Sequence, residues 1–310
     1  MYFPRPFLAA LSNAVLPPLL AIQVVLASSL AEQMSSVLTF IVFCLFFQIM
    51  LPRTPPWDRW VILVSGAAIG MAVFAQPYLP VGTLSDAFAG PAISLPIGAF
   101  CLLVMGKRLT GMAELHLHSP VTGGRFLVIQ GGASRFLNHH LKCLHIPNLR
   151  GQLYGVDIVA AGRLGLQTRK VWPRSLDDFW IYGHPLLSPV TGQVSAASDG
   201  ADDQALGASD RTAPLGNYVC IQCDDPDSGR VEVCLAHLRK GSVSVAKGDV
   251  VKIGQLVGEI GNSGNSSDPH LHIHVHRPDG SGNPLSGDPI PFRFQGVRVL
   301  RRNRVFTIPD

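Results

Sequence analysis

The chain has 310 residues, room for about two domains of ordinary size. Only 15% of its residues are charged, against a typical ~25%, and mean hydropathy is +0.27, which excludes a disordered chain and points to a part that sits in lipid. A net charge of +4 with no long Lys/Arg run is too small for a nucleic-acid partner, whose phosphates demand many cations.

Residues 1–110 carry only Arg5, Glu32, Arg53, Asp58, Arg59, Asp86, Lys107 and Arg108. Between these charges lie the apolar runs 7–30, 34–51, 60–79 and 87–105, each about long enough to cross ~30 Å of hydrocarbon as a helix. The expectation is a membrane domain over 1–110 with about four transmembrane α-helices and the lipid bilayer as partner. Pro17-Pro18 predicts a kink in the first span or two half-segments that do not cross, since proline removes a backbone donor. Gly66 and Gly70 form a Gly-x-x-x-Gly helix-packing pattern. The spans lack the intramembrane charges of an ion or proton pathway, which argues against a transporter.

Beyond Arg108 the chain changes character, and all 11 histidines lie between His116 and His276. Short β-like runs broken by Gly, Pro, Asn and Asp occupy 125–130, 155–160, 192–196, 218–222, 231–236, 256–260, 271–276 and 297–300. An all-β, water-facing domain over 115–300 follows, with 301–310 as a C-terminal tail. The acidic, small-residue stretch 198–212 reads as a mobile surface loop. No internal repeat and no Walker-type phosphate loop is found.

The densest chemistry is Pro269-His270-Leu271-His272-Ile273-His274-Val275-His276. In a strand the four histidines share one face, and Leu271, Ile273 and Val275 pack on the other. Imidazole is the commonest side-chain ligand for zinc and also a general base near neutral pH, so such a row is a candidate metal edge. Three further pieces stand with it: Ala236-His237-Leu238; the segment V-A-K-G-D-V-V-K-I-G-Q-L-V-G over 245–258; and Asn138-His139-His140 with Gln152-Leu153-Tyr154-Gly155-Val156-Asp157.

With Gly261-Asn262-Ser263-Gly264 before the His row, these motifs resemble, in order, those of the lysostaphin-type (LytM-like, murein endopeptidase-like) zinc metallopeptidases. The resemblance covers about 120–295 and implies a duplicated, barrel-sandwich-hybrid-like fold, one zinc ion per chain and hydrolysis of peptide bonds in peptidoglycan cross-bridges or stem peptides. It implies that His272 is a zinc ligand, His270 the catalytic histidine beside the metal and His237 the second catalytic histidine. Three protein ligands leave a fourth position for water, whose pKa zinc lowers to about 7.

The first half of the site departs from the family's His-x-x-x-Asp. Asp157 is present, but Leu153 stands where the histidine is expected and cannot bind a metal. In one reading His140 supplies the missing imidazole, with 141–152 looping out and Asp157 returning to the metal; His139 and His145 are substitutes, and alternation forbids both His139 and His140 from reaching it. In the other, the domain is an inactive peptidoglycan-binding or hydrolase-regulating module. His274, His276, His116 and His184 read as surface residues or supports behind the site.

Cys44 and Cys101 lie in apolar spans. Cys220-x-x-Cys223 is a poor redox or metal motif on a strand, since residues three apart face opposite ways. A hairpin pairing Cys223 with Val231 places Cys220 opposite Cys234, close enough to bridge in an oxidising compartment. Orientation divides the arguments. Arg5, Arg53, Arg59, Lys107 and Arg108 against Glu32 and Asp86 put the β domain in the cytoplasm by the positive-inside rule, whereas the resemblance puts it outside an inner membrane, facing the cell wall.

Overall fold

The computed structural model describes residues 5–50, 56–75, 79–106, 115–162, 165–170 and 172–309. Two compact units separate, one over Phe3–Lys107 with Leu164–Leu166, the other made chiefly of Arg108–Arg163 and Gln167–Asp310.

The first unit holds four helices: α1 (Arg5–Val25), α2 (Leu30–Met50), α3 (Pro56–Ala75) and α4 (Leu84–Gly106). The apolar runs are therefore helical as expected, and α1 continues through Pro17 and Pro18 instead of splitting there. Acidic caps begin α2 and α4. Glu32 Oε2 accepts from Ser28 N and Oγ, and Asp86 Oδ2 accepts from Thr83 N at 2.8 Å, negative charge placed at the positive end of each helix dipole. Leu30 N and Ala31 N donate to the carbonyls of Pro80 and Val81, so the two helices start side by side. Gly90 lets α4 approach α2 closely: its N–H donates to Ser35 Oγ at 2.8 Å, and a Cβ there would collide with Ser35 and Thr39. Ala21, Val24, Phe40 and Ile69 form the small core. Among the described residues one helix segment, Leu84–Val104, is long and apolar enough to cross a membrane; Val15–Val25 and Leu30–Phe46 are apolar but shorter. Arg53, Lys107 and Arg108, on which the charge-asymmetry argument leans, lie outside the described residues.

The second unit is mostly β. Its strands are β1 (Leu115–Leu117), β2 (Gly124–Gln130), β3 (Val156–Ala160), β4 (Pro185–Leu187), β5 (Gly192–Ser198), β6 (Asn217–Asp225), β7 (Gly229–Leu238), β8 (Val250–Val251), β9 (Leu256–Glu259), β10 (Leu271–Arg277), β11 (Asp288–Pro289), β12 (Phe292–Phe294) and β13 (Val305–Ile308). The main sheet runs β13-β2-β3-β10-β7-β6-β5-β8, with β11 beside β10; β1 pairs with β12, and β4 with β9. Two corrections follow. Residues 297–300 are not a strand, and the supposed tail 301–310 contains β13, which pairs with β2 and seals that sheet edge.

Alternation in β10 works as the sequence predicts. Leu271, Ile273 and Val275 enter the main core with Val233, Leu235, Val219 and Ile221, each fully buried aliphatic side chain stabilising by about 1.5–3 kcal/mol. The other face of the sheet carries polar rows. One crosses four strands as Gln130, Asp157, His272 and Ala236; the next is His274, Cys234 and Cys220. The β6–β7 hairpin has the expected register, Cys223 opposite Val231, and Cys220 and Cys234 form a disulfide with Cα atoms 4.2 Å apart.

The stretch 198–212 is a loop but is not free. Ala201 exchanges hydrogen bonds with the Asn217 side chain, and Gln204 N, Gly207 N and Asp210 N donate to the carbonyls of Asn262, Ser267 and Gly264. Those bonds tie it along the segment that precedes β10, which overturns the reading of a mobile loop.

Candidate functional site

Asp157 and His272 are direct partners in the β3–β10 register, so two side chains 115 positions apart in sequence meet across one pair of strands. His140 arrives from a 3-10 helix, His139–His145, between β2 and β3. A second 3-10 turn, Pro147–Gln152, completes the excursion before β3. His140 Nε2 lies 3.5 Å from Asp157 Oδ1, and His272 Nδ1 2.9 Å from the same oxygen. His140, Asp157 and His272 offer three ligand atoms all within 4.8 Å of one another. His139 and His145 are exposed. They are separated from His140 by the geometry of a 3-10 helix, not by the strand alternation the sequence suggested. Leu153 is buried at 4% exposure, an apolar side chain in the place of the missing ligand.

His237 and His270 close the other side. Their rings are 4.7 Å apart, His237 is 5.7 Å from the His272 ring, and His270 Nε2 is 3.9 Å from Asp157 Oδ1. His237 ends the regular run of β7 in a left-handed conformation, φ 64°, which costs a non-glycine residue about 1–3 kcal/mol and turns its ring out of the strand's alternation. Gly155 permits the crowding. A Cβ there would stand 2.9 Å from His272 Cε1 and 3.3 Å from His140 Cγ.

Each imidazole has one nitrogen engaged by an outer partner. His237 Nδ1 lies 2.9 Å from the Ser263 carbonyl, and His270 Nδ1 2.8 Å from the Asp268 carbonyl and 3.1 Å from Ser266 Oγ. A carbonyl only accepts, so these Nδ1 atoms carry protons and each Nε2 is left with a lone pair. Asn138 Nδ2 donates to the Gly132 and Gly155 carbonyls, which fixes its Oδ1 as the acceptor for His140 N and Nδ1 at 3.1 and 2.9 Å. His140 Nε2 therefore also presents a lone pair, towards Asp157. From the far side, His274 Nε2 donates to the Pro284 carbonyl at 2.9 Å, and His274 Nδ1 accepts from His272 Nε2 at 3.0 Å. What remains is His272 Nδ1 facing a carboxylate oxygen, a pair that needs a shared cation, either a proton or a metal ion. The donor set, two imidazoles and a carboxylate in a buried spot, fits zinc.

Residues 178–285 match the model of Peptidase family M23. Over that stretch the chain resembles the M23 peptidases. An uncharacterized metalloprotease from Haemophilus influenzae is 28% identical over 198 residues, 60% of this chain, and the chain spans 38% of that relative's length. Among solved structures, a zinc-containing peptidase from Vibrio cholerae shares 22% identity over 39% of this chain and 26% of that one, with a TM-score of 0.24. The catalytic domain of lysostaphin from Staphylococcus simulans shares 23% over 42% of this chain and 70% of that one, with a TM-score of 0.26. The family match takes in His237, His270 and His272 but begins after His140 and Asp157. The first half of the candidate site, His140 and Asp157, thus lies outside the matched segment.

Burial pushes the His140 imidazole down to about 4, and burial followed by neighbouring histidines holds His237 and His274 well below the usual range. Burial would raise the Asp157 carboxyl, but His140, His270 and His272 around it hold it low. His276 and His274, read from sequence as surface or supporting residues, are both fully buried; His274 backs His272, while His116 is exposed as expected. His184 is half-buried, and its Nε2 meets the Thr122 carbonyl at 3.0 Å. The supports Asn138, Ser263, Asp268 and Pro284 carry no sequence signal of this role, because three of them act through backbone carbonyls that every residue possesses. Asn138, two positions before His140, and Ser263, in the Gly-Asn-Ser-Gly segment, stood in motifs, but neither motif marked them as supports.

Two outcomes follow for the β domain. Asn138→Ala removes the group that orients His140, and zinc affinity measured by competition with a chelator should fall about 10–100-fold with the fold retained. The metal-free protein should also lose stability in acid. In the unfolded chain His140 takes up a proton near its ordinary 6.5, but in the fold only near 4. A depressed folded-state value means the contribution is intact above pH 6.5 and lost as pH falls towards 4, by about 3 kcal/mol for His140 alone. Urea titrations of chelator-treated protein across that window measure it.

Proposed function

We propose that this protein is a membrane-anchored zinc endopeptidase acting on peptide bonds of peptidoglycan. The observation that carries the reading is the convergence of His140 Nε2, His272 Nδ1 and the neighbouring His270 Nε2 on Asp157 Oδ1, with the outward nitrogens of all three imidazoles held by Asn138, His274 and Asp268. In this reading His140, Asp157 and His272 hold the zinc ion, and His237 and His270 do the proton chemistry. Bound zinc would supply Lewis acidity that activates water and polarises the scissile carbonyl. His270, its Nδ1 anchored on Asp268 O, presents Nε2 as the base that takes a proton from the attacking water. His237, anchored on Ser263 O, stands across the site, where its Nε2 stabilises the oxyanion once it carries a proton, and His270 returns the proton it took from water to the leaving amine. Burial of the surroundings keeps both imidazoles at fixed orientation and strengthens their electrostatic effect.

Anchoring is supported by Leu84–Val104 and by apolar side chains turned outward on the helices, among them Phe74, Ile93, Leu102 and Leu103. An oxidising compartment outside the inner membrane accords with the Cys220–Cys234 disulfide. The peptidoglycan substrate comes from family analogy. The deciding experiment incubates the zinc-loaded full chain with purified cross-linked peptidoglycan and reads new amino termini by mass spectrometry. Release of cross-bridge or stem peptides, abolished by a chelator, is expected. Retention on peptidoglycan with no cleavage would replace the reading by a binding module, and cleavage of soluble peptides alone would remove the cell-wall substrate.

A further inference from the structure

Behind the His140–Asp157–His272 cluster the same face of the sheet continues as a second polar patch. Across β6, β7 and β10 the registers align Cys220 with Cys234 and His274, and Gln222 with Glu232 and His276. Cys220, Cys234, His274 and His276 are at most 1% exposed, and Glu232 is 7% exposed. Two overlapping sets, Cys220 with Glu232 and Cys234, and Cys234 with His274 and His276, each bring their ligand atoms within 4.8 Å of one another. Glu232 Oε2 is already held by Ser195 Oγ at 2.6 Å and Gln222 Nε2 at 3.2 Å. Its Oε1 points instead to His276 Nε2 at 3.4 Å and lies 3.9 Å from Cys234 Sγ. His276 Nδ1 is buried with no hydrogen-bond partner, a cost that a β-sheet interior does not ordinarily carry. His274 is already committed to His272 and Pro284, so the donors left for a metal are Glu232 Oε1, His276 and, once the disulfide opens, the two sulfurs.

We propose that Cys220, Cys234, Glu232 and His276 form a second, redox-gated metal site that takes a thiophilic divalent cation such as zinc when the disulfide is reduced. A buried set of two thiolates, an imidazole and a carboxylate is a closed four-ligand arrangement, the chemistry of a structural zinc site with no open position for substrate. In the disulfide form the sulfurs are bonded to each other and the site is shut. A dithiol reductant supplies two electrons and two protons: the Cys220–Cys234 bond breaks to give two thiols, and the reductant closes to its own disulfide. Cation binding then displaces the two thiol protons to solvent. The fold is stapled at this point in either compartment, covalently where conditions oxidise and by a metal ion where they reduce.

The test uses full-length protein carrying His140→Ala, which disables the other cluster and makes the result independent of the proposed peptidase site. Half is kept oxidised, half is reduced anaerobically with a dithiol, and both are equilibrated with zinc or cobalt and freed of excess. The reduced form should hold about one metal ion per chain that the oxidised form lacks. Its cobalt derivative should show a thiolate-to-cobalt charge-transfer band in the near ultraviolet, which a His/Asp site without sulfur cannot produce. Cys234→Ser should abolish both. Equal metal in the two redox forms, or extra metal without the thiolate band, overturns the proposal. So does a Cys234→Ser protein that keeps the band. If that variant does not fold, the oxidised and reduced His140→Ala forms decide the question by themselves.

Discussion

His140→Ala with the Cys220–Cys234 disulfide intact is expected to yield a folded protein that no longer retains zinc and whose peptidase turnover falls by at least about a thousandfold, roughly 4 kcal/mol of transition-state stabilisation. The size follows from the geometry. Removing His140 takes away one of the three side chains grouped around Asp157 among the described residues, and it leaves Asp157 and His272 unable to close the set. The controls are equally specific. His139→Ala and His145→Ala, at exposed positions, should leave metal content unchanged. Leu153→Ala should keep zinc while costing about 2–5 kcal/mol of stability, because Leu153 is a buried apolar side chain and its loss opens a cavity. Elemental analysis beside urea unfolding separates the two kinds of damage. Zinc retained by His140→Ala and lost by Leu153→Ala would mean that the ligand set assigned to this chain is wrong.

The second large effect divides binding from chemistry. His270→Ala and His237→Ala should each bind zinc like the wild type and each lower kcat by about 10²- to 10⁴-fold, the usual contribution of a positioned proton donor or acceptor. His270 falls outside the set of three whose ligand atoms all lie within 4.8 Å of one another, and its Nδ1 is tied to the loop before β10. His237 is held by the Ser263 carbonyl on the opposite side. Because both act on one proton inventory, the double variant should lose far less than the product of the two single losses. Metal content and kcat measured on the same preparations test this. Loss of zinc in either single variant would move that histidine into the ligand set.

How the site came to be legible differs from residue to residue. Asp157, His237, His270 and His272 stood in short local motifs, and the period-2 alternation of β10 already assigned its histidines to one face and its aliphatics to the core. The cross-strand register that joins Cys220 to Cys234 was also local, set by the turn between β6 and β7. His140 was one of three candidates, since nothing in 138–145 says which imidazole a 3-10 turn will direct inward. The edge strand β13 and the fastening of 198–212 escaped because each depends on partners distant in sequence, β2 for the one and residues 262–267 for the other.

By itself, then, the sequence determined the division into an apolar helical part and a β part, the face on which the histidine row lies, and the residue types of a zinc-competent cluster, because composition and periodicity are properties of short windows. Only the tertiary structure decided that His140 completes the cluster and that Asp157 meets His272 across β3 and β10. It also decided that carbonyls of Ser263, Asp268 and Pro284 orient the rings, and that His276 is buried beside a disulfide. The physical reason is the same in each case: lone-pair direction and strand register are set by partners a hundred residues away or by backbone atoms that every residue shares, and neither leaves a mark in the order of the side chains.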